Sequence, residues 1–317
     1  MRWPALSSSV AILLSGLSFS SQAQEPGSYR VLGSDRGKVA IVDNKGHVEW
    51  DVANPSEVHD LSLLSNGNLL FTTKGPAVVE MTPEKKVVWK YESKPTSHNK
   101  ERVEIHACQR LENGVTMIAE SGNRRIIEVD SQGKIVKQVP LTIEHPDPHR
   151  DTRMVRKLSN GHYLVCHEGD GKVREYDGSG KVVWSYTVEL GGRPRAPGHG
   201  TEGHGTEVYG AVRLPSGNTM IATGNGNRVI EVNPDGKIVW TLGHDELPNI
   251  HLAWVTTLQV RPNGNVIVGN CHAGPENPQL FEVTRDKKVV WTFKDLTTFG
   301  NSLAATQVLG LEAGVIR

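Results

Sequence analysis

Four short segments of this chain share a pattern in which an acidic residue is followed, two positions later, by a side chain suited to binding or proton transfer. They are Glu57–His59, Glu104–His106, Asp151–Arg153 and Glu207–Tyr209, and the fifth equivalent segment, Trp254–Thr256, breaks the pattern. Imidazole exchanges protons near neutral pH, guanidinium binds anions, and a tyrosine hydroxyl can donate a proton. The pattern therefore indicates a site that handles an anionic group.

The second position of these segments varies between His, Arg and Tyr, whereas a purely structural residue should repeat unchanged. We predict that four residues contact a ligand or act in catalysis: His59, His106, Arg153 and Tyr209. The alternative is that they only fill a channel. The acids are alike in each segment, so we expect them mainly to accept hydrogen bonds from backbone N–H groups of a neighbouring unit.

These segments belong to a unit that the chain repeats six times. Each copy has an apolar-acidic strand, a tight turn and a second strand, and five copies end in Trp: Val39–Trp50, Val78–Trp89, Ile126–Lys137, Val173–Trp184, Val229–Trp240 and Leu280–Trp291. An Asn-Gly or Ser-Gly turn, typical of hairpins, precedes five of the copies. Each unit thus predicts four short antiparallel strands, which must stack on their neighbours to bury their apolar faces.

Four-stranded units repeated radially are the blades of a β-propeller. We predict an all-β fold, a six-bladed propeller of four-stranded antiparallel blades. Five full units lie at about 57–92, 104–139, 151–187, 207–242 and 254–294, and the first, 28–52, lacks its opening strand. Residues 301–309 can supply that strand, so strands from both ends of the chain would close the ring. The repeated Trp residues should wedge between blades, and the seam at Lys137 should be packed least well.

The apolar-acidic strand, the Gly-Lys turn and the terminal Trp resemble the pyrroloquinoline-quinone-like propeller superfamily, over nearly all of residues 24–317. Its quinone-dependent dehydrogenases usually have eight blades and a vicinal Cys pair, which this chain lacks, so we expect no pyrroloquinoline quinone. The segment His59–Leu69 is similar to the six-bladed arylsulfotransferase-like propellers. That resemblance implies a His nucleophile with further His and Arg side chains in a central funnel.

All but two of the 13 histidines, His47 and His162, fall on the face of the predicted propeller that carries the connections between blades. A histidine-rich rim around a funnel is a candidate ligand site. We predict five substrate-binding residues there: Arg193 and His204 in the glycine-rich connection 191–206, His272 in the loop 270–279, His167 at the equivalent point of an earlier blade, and Trp254. The alternatives are a surface loop for 191–206 and burial between blades for Trp254.

Metal binding stays open at the sequence level. Rim histidines could hold a divalent ion, but the only closely spaced pair, His145 and His149, is separated by Pro146 and Pro148, which exclude a helix that would align them. Ligands drawn from several blades cannot be recognised from sequence. A divalent metal is therefore left open, and no other cofactor is expected.

Residues 1–23 have the features of a signal peptide: Arg2, the apolar stretch Val10–Leu17 and a small-x-small site at Ser21–Ala23. The apolar stretch is too short for a membrane span. We expect an exported (periplasmic or secreted) monomer with a single propeller domain at residues 24–317. The formal net charge is +0 and no basic stripe occurs, which argues against nucleic acid. Cys108, Cys166 and Cys271 occupy three different places in their repeats and are predicted to be buried rather than disulfide-bonded.

Two functional hypotheses follow. The first is an enzyme whose funnel binds a small anionic molecule or a carbohydrate bearing uronate or sulfate, with Arg153 holding the anion, His59 or His106 as base or nucleophile, and Tyr209 as acid. Lyase chemistry and sulfuryl transfer both fit this set. The second is a non-catalytic propeller that binds a ligand or a protein partner at the same rim. No nucleotide-binding Gly loop, Cys–Cys metal knuckle or Gly-x-Ser-x-Gly elbow is present.

Overall fold

The six repeats form a closed ring of six sheets. The computed structural model describes residues 29–54, 57–73, 76–96, 99 and 102–317, and in this part of the chain 24 strands form six four-stranded antiparallel sheets. The first strands of neighbouring sheets contact one another around a central channel. The predicted all-β, six-bladed propeller is confirmed. The predicted signal peptide lies outside the described residues, and no helix in the described part of the chain is long and apolar enough to cross a membrane.

The strands follow one another blade by blade along the chain, except that the last strand belongs to blade 1. Blade 1 contains β1 (Arg30–Asp35), β2 (Lys38–Val42), β3 (Val48–Ala53) and the last strand, β24; blade 2 contains β4 (Leu61–Leu63), β5 (Leu69–Thr73), β6 (Ala77–Met81) and β7 (Val87–Glu92); blade 3 contains β8 (Glu104–Arg110), β9 (Thr116–Ser121), β10 (Arg125–Val129) and β11 (Ile135–Pro140). Blade 4 contains β12 (Val155–Lys157), β13 (Tyr163–His167), β14 (Lys172–Tyr176) and β15 (Val182–Thr187); blade 5 contains β16 (Gly210–Arg213), β17 (Thr219–Ala222), β18 (Val229–Val232) and β19 (Ile238–Leu242); blade 6 contains β20 (Trp254–Val260), β21 (Val266–Cys271), β22 (Leu280–Val283) and β23 (Val289–Phe293); β24 is Ala305–Leu309.

Blade 1 takes its innermost strand from the other end of the chain. β24 pairs antiparallel with β1, and the register runs from Arg30 opposite Leu309 to Ser34 opposite Ala305. The predicted closing segment, 301–309, contains this strand. The ring is therefore held shut by backbone hydrogen bonds between the first and last strands of the chain.

The turn between the third and fourth strands of each blade requires a residue in the left-handed region. In most copies this residue is Gly, as at Gly133 and Gly236, with φ of 82° and 79°. Two copies lack the glycine, and there Lys85 and Lys287 adopt φ of 64° and 63°. The turn geometry is thus kept at some conformational cost even where the favoured residue is absent.

The repeated Trp residues pack between adjacent blades, in apolar clusters that combine residues of both. Three indole N–H groups donate to a backbone carbonyl in a turn of the following blade: Trp50 to Pro83 at 2.7 Å, Trp184 to Pro234 at 3.0 Å and Trp240 to Arg285 at 2.9 Å. The Arg285 guanidinium also lies 4.5 Å from the centre of the Trp240 ring. Each such hydrogen bond contributes about 1 kcal/mol net.

At the seam between blades 3 and 4, where Lys137 replaces Trp, blade 4 supplies the aromatic ring. Tyr163 of blade 4 is fully buried, and its hydroxyl donates to Glu128 of blade 3 at 2.5 Å. The Lys137 ammonium lies 5.2 Å from the centre of the Tyr163 ring. That this seam is packed least well stays a prediction.

One end of the channel is filled by two arginines placed around one aspartate. We call Asp60, Arg156 and Arg317 the lower plug. Arg156 donates to both carboxylate oxygens of Asp60, at 2.7 and 3.0 Å, and Asp60 also accepts the backbone N–H of Cys108 at 3.0 Å. Arg317 donates to the Leu61 carbonyl at 2.5 Å and approaches Asp60 to 3.8 Å.

Glutamines link the innermost strands around the lower part of the channel. Their side-chain oxygens accept backbone N–H groups of an adjacent blade: Gln109 from Lys157, Gln259 from Val308 and Gln307 from Leu63. This is the role expected of the repeated acids. Among those acids, Asp151 does accept a backbone N–H of blade 3, from Gly122 at 3.0 Å. The side chain of Glu57 is instead 81% exposed.

Candidate functional site

The opposite end of the channel opens into a cavity. We call it the upper funnel: a cavity of about 420 Å³ whose walls include His59, His149, Arg153, His199, Tyr209, Trp254 and His272. Two further cavities adjoin it, one of about 480 Å³ beneath the connection 191–206 and one of about 400 Å³ beside Glu104, and His149 lines all three. A volume of this size suits a small-molecule ligand.

The four residues predicted from the repeated pattern converge at this end. His106 lies on β8, and the other three directly precede the innermost strands of blades 2, 4 and 5. The ring centres of His59 and His106 are 4.2 Å apart. Arg153 Nη1 lies 3.3 Å from His59 Nδ1, and its guanidinium is 5.8 Å from the centre of the Tyr209 ring. Their catalytic roles stay predictions.

His106 lies behind this surface rather than on it. Its ring is fully buried, and it does not line the cavities described above. Nδ1 is 2.6 Å from the Thr152 carbonyl oxygen, and Nε2 is 2.9 Å from Glu104 Oε2. Burial lowers the pKa of His106, against the opposing effect of Glu104. The prediction that His106 touches the ligand is thereby corrected, because its ring reaches the funnel only through its neighbours.

His149, which the repeated pattern did not select, lines the funnel and both adjoining cavities. Its side chain is 38% exposed, and its Nδ1 is 2.8 Å from Glu104 Oε2 while its Nε2 is 3.1 Å from Arg153 Nη2. The connection before blade 4 positions it, since the Asp147 carboxylate accepts the His149 backbone N–H at 2.9 Å. Burial would raise the pKa of Glu104, but hydrogen bonds from His106 and His149 outweigh it and lower that pKa.

Arg153 is the cation at the centre of the funnel. It is 5% exposed, and its Nε donates to Glu168, a residue of the loop after β13. Arg150 donates to the same Glu168 and to Glu207, each at 3.1 Å. Burial would lower the pKa of Arg153, but the Glu168 carboxylate outweighs it and raises that pKa. Arg153 therefore remains charged, and its two terminal nitrogens face the ring nitrogens of His59 and His149.

Tyr209, a residue of the funnel wall, has an unsatisfied hydroxyl. The residue is 4% exposed, and its hydroxyl oxygen is buried with no hydrogen-bond partner in the described part of the chain. Buried polar atoms are nearly always hydrogen-bonded. Burial raises the pKa of Tyr209, so the hydroxyl stays protonated at neutral pH.

A second group of aromatic and histidine rings forms the far wall. Trp254 is 6% exposed; its ring centre lies 4.4 Å from that of His199, and His199 is 5.4 Å from His272. His272 has φ of 60°, and its Nδ1 lies 2.9 Å from Cys271 Sγ. Burial raises the pKa of Cys271, so its thiol stays protonated. Trp254 and His272 are thus placed in the funnel wall.

Three other predicted residues do not reach the upper funnel. His167 is fully buried, with Nδ1 2.7 Å from the Asp151 carbonyl and Nε2 2.9 Å from the Tyr176 hydroxyl. Burial lowers the pKa of His167 to about 4. The prediction for His167 is therefore corrected: it supports the wall, and the next residue, Glu168, faces the site.

His204 and Arg193 also have other surroundings. His204 lines the adjoining cavity, but its ring nitrogens are 3.0 Å from Asn227 Oδ1 and 2.7 Å from the Leu190 carbonyl, so it mainly fixes the connection 191–206. Arg193 is not in the walls of the described cavities; it lies near His244, whose pKa is lowered by burial and then by the Arg193 charge. Arg195 of the same connection lines the adjoining cavity instead.

No protein-family model matches the chain, and no curated protein matches it. Solved structures do. A protein of unknown function from Bacteroides caccae is 21% identical, with a TM-score of 0.73 over 89% of this chain and 99% of that one. A catalytically inactive His→Ala variant of virginiamycin B lyase from Staphylococcus aureus, with quinupristin, is 12% identical, with a TM-score of 0.57 over 93% and 96%. A streptogramin B lyase is 14% identical, with a TM-score of 0.56 over 85% and 84%. These likenesses show the propeller fold.

Proposed function

We propose that the upper funnel binds a carboxylate-bearing molecule of carbohydrate size and acts on it by acid–base elimination. The observation that carries this proposal is the Tyr209 hydroxyl, which is buried beside Arg153 without a partner in the described residues. A bound ligand would supply the missing hydrogen bond. Some propellers of similar fold are named lyases, but at 12–14% identity the argument rests on this chain's own residues.

The preference for an anion follows from the arginines. The contacts of Arg153 with His59 and His149 are 3.3 and 3.1 Å long, and a carboxylate would make shorter, charge-assisted bonds in their place. Arg195, in the wall of the adjoining cavity, donates to Thr206 and has no acidic partner within the described ranges. Trp254 and His199 supply flat surfaces against which a sugar ring can pack.

Elimination follows from the positions of a base and an acid. His149 would take the proton from the carbon next to the carboxylate, with its ring held by Glu104. The carbon–oxygen bond at the following carbon would then break, a carbon–carbon double bond would form, and the Tyr209 hydroxyl would protonate the departing oxygen. Uronate-containing oligosaccharides have this arrangement of carboxylate, acidic carbon and leaving oxygen.

The proposal is tested by titrating the protein with uronate oligosaccharides and with the matching neutral oligosaccharides, using calorimetry for binding and ultraviolet absorbance for the double bond. We expect the uronates alone to bind. Arg153→Gln should weaken binding about 10- to 100-fold, as expected for a hydrogen bond to a charged group, while Arg285→Gln, on a seam between blades, should not. Equal binding of neutral and uronate sugars, or no binding of either, would overturn the proposal.

The catalytic step has its own control. His149→Ala should abolish double-bond formation while the affinity for the uronate changes little. Arg195→Gln, on an exposed connection, should weaken binding several-fold without affecting the fold, which guards against misfolding of Arg153→Gln. Binding without any turnover by the unaltered protein would reduce the proposal to a non-catalytic ligand-binding propeller.

A further inference from the structure

The hydrogen bonds of His106 leave one contact without a proton. A neutral imidazole carries a single ring proton, yet both ring nitrogens of His106 face acceptors, the Thr152 carbonyl at 2.6 Å and Glu104 Oε2 at 2.9 Å. A second positive species must therefore lie between Nε2 and the carboxylate. It is either a second proton or a cation.

The geometry of the contacts suits a cation. The ring of His106 is fully buried. Nδ1 is already bonded to a backbone carbonyl, which is the usual arrangement for a histidine that ligates a metal through its other nitrogen. A carboxylate and an imidazole bound at about 2.1 Å and at right angles lie about 3 Å apart, close to the 2.9 Å between Glu104 and His106.

A third ligand is already in place. His59, Glu104 and His106 each offer one donor atom, and these atoms all lie within 4.8 Å of one another. His149 also hydrogen-bonds to Glu104, as outer partners of ligating carboxylates do. Two guanidinium groups lie nearby: the charge of Arg153 is met by Glu168, and Arg102 Nε lies 2.8 Å from Glu104 Oε1, the oxygen that does not face His106. His59 and Glu104 both line one of the cavities that adjoin the funnel, which leaves a coordination position open to a ligand.

We propose that His59, Glu104 and His106 form a binding site for one divalent first-row transition metal ion at the floor of the upper funnel. Two imidazoles and one carboxylate with an open position suit zinc, cobalt, manganese or iron. This set combines blade 2 with blade 3 and is not a sequence motif. The proposal does not depend on the proposed function, since metal binding is measured without any organic ligand.

Two other groups of side chains in the described residues could also hold a metal ion, and they serve as controls for the His59 group. His244, Asp245 and His251 form one such group, but Asp245 is exposed and already paired with His251 at 2.6 Å. Glu144, His145 and Asp170 form the other, and Arg174 and Lys172 neutralise its carboxylates. Glu104 is also paired, with Arg102 through Oε1, so the His59 group differs from both in its greater burial and in the contact between His106 Nε2 and the other oxygen, Oε2.

The test is a titration of chelator-treated protein with Co²⁺ and with Zn²⁺, followed by calorimetry and by the visible absorption of bound Co²⁺. We expect one equivalent to bind. Glu104→Gln and His59→Ala should each weaken binding at least about 100-fold, because loss of an outer partner alone costs 10- to 100-fold. His251→Ala should leave the affinity unchanged. Circular dichroism confirms that each variant is folded.

Three results would overturn the metal site: no saturable binding of either ion, binding that Glu104→Gln and His59→Ala leave intact, or binding lost only in His251→Ala. The first would assign the charge between His106 and Glu104 to a second proton. Uronate binding without Co²⁺ binding would reject this inference alone, whereas Co²⁺ binding without uronate binding would reject only the proposed function.

Discussion

At the lower plug both carboxylate oxygens of Asp60 have partners, whereas at the upper funnel the hydroxyl of Tyr209 has none in the described chain. The two ends draw on neighbouring residues in or just before the innermost strands: Asp60 directly follows His59, and Arg156 lies three positions after Arg153. The lower end pairs its buried charges with one another and with backbone groups. The upper end places histidines, an arginine and a tyrosine in the wall of a cavity.

The difference between the lower plug and the upper funnel shows that a repeated scaffold can place stabilising residues at one end of its channel and candidate binding residues at the other. Repeated side chains such as the glutamines tie neighbouring blades together, and each removes a backbone donor from the channel. The residues that vary from blade to blade collect at the end where connections of unequal length enter.

Replacing Asp60 by Ala should strongly destabilise the protein. Arg156 would keep its buried charge without a carboxylate, and the Cys108 N–H would lose its acceptor. Loss of one partner of a buried ion pair costs about 3–5 kcal/mol, which urea denaturation would measure as a lower free energy of unfolding. The control is Glu57→Ala, whose exposed acid lies three residues earlier and should cost less than about 0.5 kcal/mol. Equal effects would remove the contrast between the two ends.

Acid should weaken the support of the upper funnel. The pKa of His167 is about 4 in the folded protein and about 6.5 in an unfolded chain. Between these values the unfolded state binds more protons, so stability is present at neutral pH and falls as the pH drops from about 6.5 to about 4, by about 3 kcal/mol in total. Urea midpoints measured across this range would show the decline.

His167→Gln should flatten that pH dependence, and His47→Gln, which alters an exposed histidine, should not. Hydrogen exchange at the lower pH should increase first near Asp151, whose carbonyl His167 holds. A decline that is identical in both variants would assign the acid sensitivity to other groups.

Two matched tyrosines give the smallest effect and the sharpest comparison. Tyr163→Phe removes a hydroxyl that donates to Glu128 and should cost about 1–3 kcal/mol, because it leaves a charged acceptor short of a bond. Tyr209→Phe removes a hydroxyl with no partner in the described residues and should change stability by less than about 0.5 kcal/mol while weakening uronate binding. Thermal and urea unfolding of both variants would decide; a large loss for Tyr209→Phe would show that its hydroxyl is structural.

The fold was predictable because its signals are local and periodic. Turn residues at fixed spacing set the strand boundaries, and the missing first strand of blade 1 had an obvious substitute near the end of the sequence. The convergence of His59, His106, Arg153 and Tyr209 could be predicted for the same reason, since equivalent positions in a repeat lie around one axis.

The rest of the site comes from connections that have no period. His149 lies in the connection before blade 4, and Glu168 lies in a loop, so neither position follows from the repeat. His167 is buried in the wall while Glu168 lines the adjoining cavity, because adjacent residues at a strand end point in opposite directions. The acids were expected to accept backbone N–H groups of a neighbouring blade, but Gln109, Gln259 and Gln307 perform part of this role. The sequence shows where these glutamines lie in their strands, but it does not show their partners, which belong to other blades.

The closing strand also orders events in time. β1 is made early and β24 only after every other blade, so during synthesis blade 1 carries an unpaired inner edge until residues 305–309 emerge. An open edge is a template for any other extended strand, including β24 of a second molecule. Pairing of β1 with β24 of the same chain therefore competes with pairing of β1 with β24 of another chain. A high local concentration of nascent chains, or slow release of residues 305–309, would favour strand-swapped dimers.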